Sequence, residues 1–382
     1  MMSHTFRILR VSGIDVRVHW TWLILAFLVA SSLATGWFPV MAPGQTTNTY
    51  WSGAVFCSAG LFFSIVVHEF CHAIVGRAFK MPVEKITLFL FGGVAHLDDE
   101  PPNARSEFWM AIAGPAASVV LAFGFYGLQI LATQNGSPLM WQAGLNYLAS
   151  INIVVAAFNM LPGFPMDGGR VLRSLLWGIK GNMLWATKVA SNVGQIFGGV
   201  LIALGLITLF RGAAISGIWG FTLGFLVIGF ARASFIQLLV KKELQGRPAV
   251  NFMDPLPVTC RPETSVSDLM RGVLNRSETA NGEAVVPVIG ENCEYVGCAN
   301  LRAAQKLPER EWSQHQVREI IQPLESDHLI DPDTDAEKAL TQMTKKGYRE
   351  LLIIRGNRLV GVLTQAALSR YLSLRQNQAY SS

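Results

Sequence analysis

The sequence predicts a polytopic α-helical membrane protein, with about six transmembrane helices and a short membrane-face β-hairpin, followed by a cytoplasmic α/β unit. Three observations carry this expectation. Charge is segregated: residues 1–240 hold 13 basic and 8 acidic side chains, whereas residues 241–382 hold 18 of each. No Asp, Glu, Lys or Arg stands between Arg17 and Glu69, or between Glu107 and Asp167. The tail repeats a helix–strand–strand–helix pattern.

Composition excludes several classes. The 382 residues are 51% hydrophobic and only 15% charged, with mean hydropathy +0.35. An ordinary soluble domain carries about 25% charge. Disorder is excluded by the apolar content. The five cysteines, Cys57, Cys71, Cys260, Cys293 and Cys298, are irregularly spaced and read as reduced thiols, neither a disulfide scaffold nor a zinc-thiolate site. The net charge of +5 lies wholly in the apolar part, which favours an anionic membrane face over nucleic acid as the basic region's partner.

A bilayer core takes roughly 20 apolar residues per helix. Spans are read at 19–36, 54–78, 108–132, 141–161, 185–210 and 217–240. Basic residues mark the cytoplasmic side. Arg7, Arg10 and Arg17 precede the first span. Arg77, Lys80, Lys85 and Arg105 lie between the second and third. Arg170, Arg173 and Lys180 lie between the fourth and fifth, and Lys241, Lys242 and Arg247 follow the sixth. The opposite loops 37–53 and 133–140 carry no charge, so both termini are expected in the cytoplasm. The length of span one and the basic segment before it read as an uncleaved anchor rather than a signal peptide.

Between spans two and three, Ile86-Thr87-Leu88-Phe89-Leu90-Phe91 is β-branched and aromatic. Gly92-Gly93 suits a tight turn, and Val94-Ala95-His96-Leu97 reads as a returning strand. An open strand edge is costly within lipid, so this hairpin must lie against protein or serve as a docking edge. Asp98, Asp99 and Glu100 before Pro101-Pro102 read as a solvated loop.

Span two contains His68-Glu69-Phe70-Cys71-His72. Histidines at i and i+4 share a helix face and can grip one Zn²⁺. Glu69 is placed to take a proton from water and pass it to a leaving amine. An ionisable residue within a span costs about 2.5–3.5 kcal/mol, so it needs a role. The plainer reading is a polar trio bonding neighbouring helices.

A hydrolytic zinc site keeps three protein ligands and an open position. Asp167 is the candidate third ligand, since no other acidic residue stands between Glu107 and Glu243. It follows Pro162 and Pro165, which end span four, and precedes Gly168-Gly169. Broken backbone at membrane depth is tolerated only against protein or around a wet cavity. The alternative for Asp167 is an N-cap of a helix starting before Val171. In span four, Asn146, Ser150 and Asn152 fit a water path or interhelical hydrogen bonds equally well. Gly114-Pro115 and the small residues Ala111, Ala113, Ala116, Ala117 and Ser118 let another helix approach span three closely.

These residues resemble the site-2 protease family, intramembrane zinc enzymes with HExxH in one span and NxxPxxPxDG after a later one. The matches are His68, Glu69 and His72, then Asn159, Pro162, Pro165, Asp167 and Gly168, within a resemblance spanning roughly residues 1–240. Met166 replaces the usual Leu, and Ser118 stands where many members have Asn. The resemblance implies one Zn²⁺ held by His68, His72 and Asp167, with Glu69 as general base and Asn159 steadying the oxyanion. It also implies a membrane-spanning protein substrate, regulated intramembrane proteolysis, and residence in a prokaryotic plasma (inner) membrane.

In the tail, helices are read at Val266–Leu274 and Ala336–Lys346. Each precedes an apolar strand, a turn, a second strand and a last helix. The repeat resembles a pair of cystathionine-β-synthase (CBS) domains. The expected division is a protease domain at 1–245, a first CBS domain at 250–310 and a second at 315–375. CBS pairs often bind adenine nucleotides through a Thr or Ser and an Asp three residues on. Here the positions are Thr364 and Ala367, and Asn300 and Ala303, so the ribose-binding acid is missing from both. The missing acid leaves adenine-nucleotide binding at the CBS pair as the less favoured role, beside regulation, substrate docking and homodimerisation. The competing function is a CBS-regulated transporter or channel, because intramembrane acids also mark ion paths.

Overall fold

The computed structural model describes residues 5–81, 83–89, 92–97, 100–255, 258–274, 286–291, 294–323 and 326–381. Leu90-Phe91, Asp98-Asp99, Val285 and Cys293 lie outside the described residues. Backbone contacts divide the chain into two units, Met1–Phe235 and Ile236–Ser382.

Six helices among the described residues are long and apolar enough to cross a membrane, most of them within the first unit. The first span runs Thr21–Met41: α1 (Thr21–Ser32), a π-turn (Leu33–Trp37) and α2 (Phe38–Met41). The others are α3 (Thr47–Ala78), α4 (Ala104–Gln134), α5 (Leu139–Asn159), α7 (Met183–Phe210) and α8 (Ala214–Leu244). Between α5 and α7 lies α6 (Asp167–Lys180), a 14-residue helix too polar to be a span.

The expected hairpin is present as β3 (Val83–Phe89) and β4 (Gly92–Leu97). Its register pairs Phe89 with Gly92, so Gly92 and Gly93 sit in the returning strand rather than in the turn. The hairpin is also part of a larger sheet. β1 (Thr5–Val11) and β2 (Ile14–His19) complete a four-stranded sheet of order β1-β2-β3-β4. The β2–β3 pair is parallel, with Val16 opposite Ile86. The signal for β1 and β2 is legible after the fact. Ile14, Val16 and Val18 alternate with polar residues and are buried, as a half-buried strand requires. Ser12 and Gly13 have φ of 49° and 76°, the positive pair a two-residue hairpin turn demands.

This sheet packs on α3. Ile14, Val18, Val83, Ile86 and Leu88 form a core with Ala73, edged by Ile65, Val66 and Phe70. Arg77, near the end of α3, donates to the carbonyls of Ser12, Gly13 and Val83. One guanidinium thus ties the N-terminal turn and the start of β3 to the helix that carries His68 and His72.

The second unit holds α9 (Val266–Leu274), β5 (Val286–Ile289), β6 (Tyr295–Ala299) and α10 (Leu301–Lys306). Then follow β7 (Ile321–Gln322), β8 (Leu329–Ile330), α11 (Ala336–Lys346), β9 (Glu350–Arg355), β10 (Arg358–Thr364) and α12 (Gln365–Ser381). They form two three-stranded sheets, β5-β6-β7 and β10-β9-β8. Helices α9 and α11 have the bounds read from the sequence. The copies interlock. Leu244, Ala249 and Phe252, all N-terminal to α9, complete the core of the second. Val317 and Ile320, which follow the first copy, complete its own core. Cys298, Leu352 and Val362 pack together where the two sheets meet.

Candidate metal centre

The site is built on three helices. His68 and His72 share a face of α3, one turn apart, as i and i+4 spacing dictates. Asp167 is the first residue of α6, and Met166 occupies the N-cap position, so the carboxylate is not spent as a cap. The helix start also favours an anionic side chain there. Asp167 Oδ2 lies 3.2 Å from His68 Nε2 and 3.1 Å from His72 Nε2. The two Nε2 atoms are 3.2 Å apart. Both imidazoles are buried.

The triangle can be tested against a metal. Zn–N and Zn–O bonds of about 2.0–2.1 Å in a tetrahedron set ligand atoms about 3.3 Å apart. The observed edges of 3.1–3.2 Å fit that figure. Tautomers fit as well. His72 Nδ1 is 2.6 Å from the carbonyl of Met110, which only accepts, so Nδ1 carries the hydrogen and Nε2 turns a lone pair inward. His68 Nδ1 meets Ser118 Oγ at 2.9 Å. The two imidazoles and the carboxylate form one group of potential metal ligands.

Helix α4 supplies the support for this cluster. Glu107, Met110, Gly114 and Ser118 recur at helical spacing and are all buried. Gly114 makes room: a Cβ there would lie 2.6 Å from His68 Nε2 and closer still to His72 Nε2. The sequence suggested only close helix packing at this glycine. Ser118, the departure from the family's Asn, still supplies a polar contact. Glu107 and Arg173 of α6 form a buried ion pair, with Arg173 Nε 2.6 Å from Glu107 Oε1. Sequence reading missed this pair. In the sequence Glu107 and Arg173 mark only the ends of spans, and nothing local joins residues 66 apart.

The loop before α6 is tightly folded. The Phe164–Pro165 peptide bond is cis. A Cβ at Gly168 or Gly169 would strike the backbone of Met160, Leu161, Gly163 or Phe164. That contact accounts for the glycine pair after Asp167. Glu69 is adjacent to His68 on α3 and within electrostatic reach of His72, Asp167 and Arg170. Asn159 is the last residue of α5, half-buried, and no hydrogen bond joins it to the cluster among the described residues. Asn152 donates to Ser64 Oγ at 3.1 Å and to Leu148 O, so it fastens α5 to α3. Ser150 Oγ meets Asn146 Oδ1 at 3.5 Å, and among the described residues no hydrogen bond joins either to the cluster.

The model of peptidase family M50 matches residues 56–137 and 129–204. The CBS domain model matches residues 317–374. The Mycobacterium tuberculosis protein Rip3 is 30% identical over 367 residues, 96% of this chain and 92% of its own length. The Synechocystis sp. protein sll0528 is 30% identical over 379 residues, 97% of this chain and 96% of its own. Both are named as candidate zinc metalloproteases. A solved structure of a site-2 protease from Methanocaldococcus jannaschii aligns with 61% of this chain and 95% of its own, at 26% identity and a TM-score of 0.41.

Proposed function

Because this chain belongs to peptidase family M50, the site-2 proteases, we propose that it hydrolyses peptide bonds in or near the transmembrane segments of membrane-tethered regulatory proteins. The observation that carries this reading is the triangle of His68 Nε2, His72 Nε2 and Asp167 Oδ2, whose edges fit one tetrahedral zinc ion. Zinc, when bound, polarises a carbonyl and makes water a nucleophile at neutral pH. His68, His72 and Asp167 are its protein ligands in this reading. Glu69 accepts the proton of the attacking water on its carboxylate and returns it to the leaving amide nitrogen. Asn159, at the end of α5, steadies the oxyanion. The transporter or channel expectation falls with the family assignment.

A helical peptide bond has its carbonyl engaged, so a substrate span must unwind before attack. β4 is an edge strand of the sheet that packs on α3, and an unwound segment can add to it as a further strand. Basic residues on one set of loops support a plasma (inner) membrane orientation with both termini and the CBS unit in the cytoplasm.

The CBS unit regulates activity, docks substrate or forms a homodimer in this proposal. Adenine-nucleotide binding is the weaker use. Thr364 Oγ1 accepts from Ala367 N at 3.0 Å, and Asn300 Oδ1 accepts from Ala303 N at 3.0 Å. Both side chains serve as helix caps, and the acid that would meet a ribose is absent from each copy.

The test compares membrane peptides by mass spectrometry from cells carrying the active chain or Glu69→Gln. The variant keeps its zinc and accumulates uncut substrate. Equal cleavage in the two strains would sink the assignment of Glu69.

A further inference from the structure

The metal triangle joins two residues of one helix to a carboxylate at the start of another. Histidines one turn apart on α3 are held in mutual register by the helix itself. Asp167 has no such guarantee, because α6 follows a loop broken by Pro162 and Pro165. Something must set α6 against the rest of the site. Three contacts converge on Arg173, two turns into α6. Its Nε lies 2.6 Å from Glu107 Oε1, and Nη2 meets the same oxygen. Its guanidinium carbon stands 5.2 Å from the centre of the Phe164 ring, in the loop leading to Asp167. The side chains of Glu107 and Arg173 are 0% and 8% exposed.

As a source of stability this pair is a poor choice. Desolvating two charges offsets most of their attraction, and an apolar pair of similar volume is often as good. Here the cost is plain: Glu107 Oε2 is buried and accepts no hydrogen bond among the described residues. What an ion pair gives, and an apolar contact does not, is one direction and one register. Glu107 sits in the first turn of α4, on the stripe that also presents Met110 to His72 and Ser118 to His68. The same helix therefore orients both imidazoles and, through Arg173, the helix that bears the carboxylate.

Resting on the zinc reading above, we propose that Glu107 and Arg173 are positioning residues: their ion pair fixes α6 and the Phe164 loop on α4, so that Asp167 Oδ2 meets His68 and His72. Neither group touches substrate. Arg170, one turn nearer Asp167 and within electrostatic reach of Glu107, makes no ion pair among the described residues and does not replace Arg173.

The test uses the full chain in detergent, titrated with Zn²⁺ against a chelator and separately with Co²⁺, whose visible spectrum reports its ligand set. Arg173→Met alone leaves Glu107 buried and unpaired, so folding itself is at risk. The double variant Glu107→Gln, Arg173→Met removes both charges and keeps the volume. We expect it to melt close to the unmodified chain, to bind Zn²⁺ about 10- to 100-fold more weakly, and to give an altered Co²⁺ spectrum. Supporting loss in Arg173→Met of the same size or larger completes the picture. A double variant with unchanged Zn²⁺ affinity and Co²⁺ spectrum overturns the positioning role, as does one that fails to assemble, which would make the pair a folding element. If the unmodified chain itself binds no zinc, the zinc reading fails rather than this one.

Discussion

Gly114 of α4 faces His68 so closely that a methyl carbon on it would lie 2.6 Å from Nε2 of the imidazole. That distance is well inside van der Waals contact, and the other neighbour is His72, on the same helix. Neither imidazole can retreat without leaving its Nδ1 partner, Ser118 or Met110. The absence of a side chain at Gly114 is thus a condition for the close approach of His68, His72 and Asp167. Gly114→Ala should lower zinc bound by the purified chain by about tenfold or more, while the helix propensity of Ala favours α4 itself. Wild-type zinc content by elemental analysis would refute this.

Ser118 sets the orientation of His68 through a 2.9 Å contact with Nδ1. Loss of such an outer partner weakens metal binding by about 10- to 100-fold. Ser118→Ala should show that loss in competitive chelation, and Ser118→Asn, which restores a polar group, should lose less. If Ala and Ser bind zinc alike, the contact does not orient the ligand.

Asp167→Asn keeps the volume at the start of α6 but removes the anion that faces both Nε2 atoms. The expected result is loss of tightly held zinc and of cleavage together, with the melting temperature of the metal-free chain little changed. A variant that still retains zinc through dialysis against chelator would show that another group completes the site.

In the second unit, burial pushes the Cys260 thiol up to about 11 and the Cys298 thiol up to about 12. Both stay protonated at neutral pH, and thiolates are the reactive species. Because folding raises these values, the stability they represent is present below the unfolded thiol range and declines as pH rises above it. Maleimide at about pH 7 should leave both thiols unmodified in the folded chain and label both in denaturant, as peptide mapping would read. Rapid labelling of either in the native protein would contradict its burial.

The spans, the HExxH helix and the helices of the tail were legible because each is written locally, in charge-free runs, i and i+4 spacing or amphipathic periodicity. Asp167 stands out in the sequence as the one acid between Glu107 and Glu243, and the fold brings its carboxylate beside both imidazoles. Less was legible where partners are distant. Strand β2 alternates plainly, but its meaning depends on β3, which returns only after α1 and α3. The Glu107–Arg173 pair joins α4 to α6 across 66 residues. Gly114 reads as a packing residue until two imidazoles are seen above it. The interlocked CBS cores escaped for the same reason: Leu244, Ala249 and Phe252 belong to a partner segment far along the chain.

The parallel pairing of β2 with β3 acts as a counter of crossings. Strands that share hydrogen bonds occupy the same compartment, and the only chain between Val18 and Val83 is the pair of apolar passages ending at Met41 and Ala78. An even tally is therefore written into the ladder itself, independent of any bias in lysine and arginine. It also sets an order of biogenesis. β2 is made before β3, so its ladder on that side closes only after α1 and α3 have been synthesised.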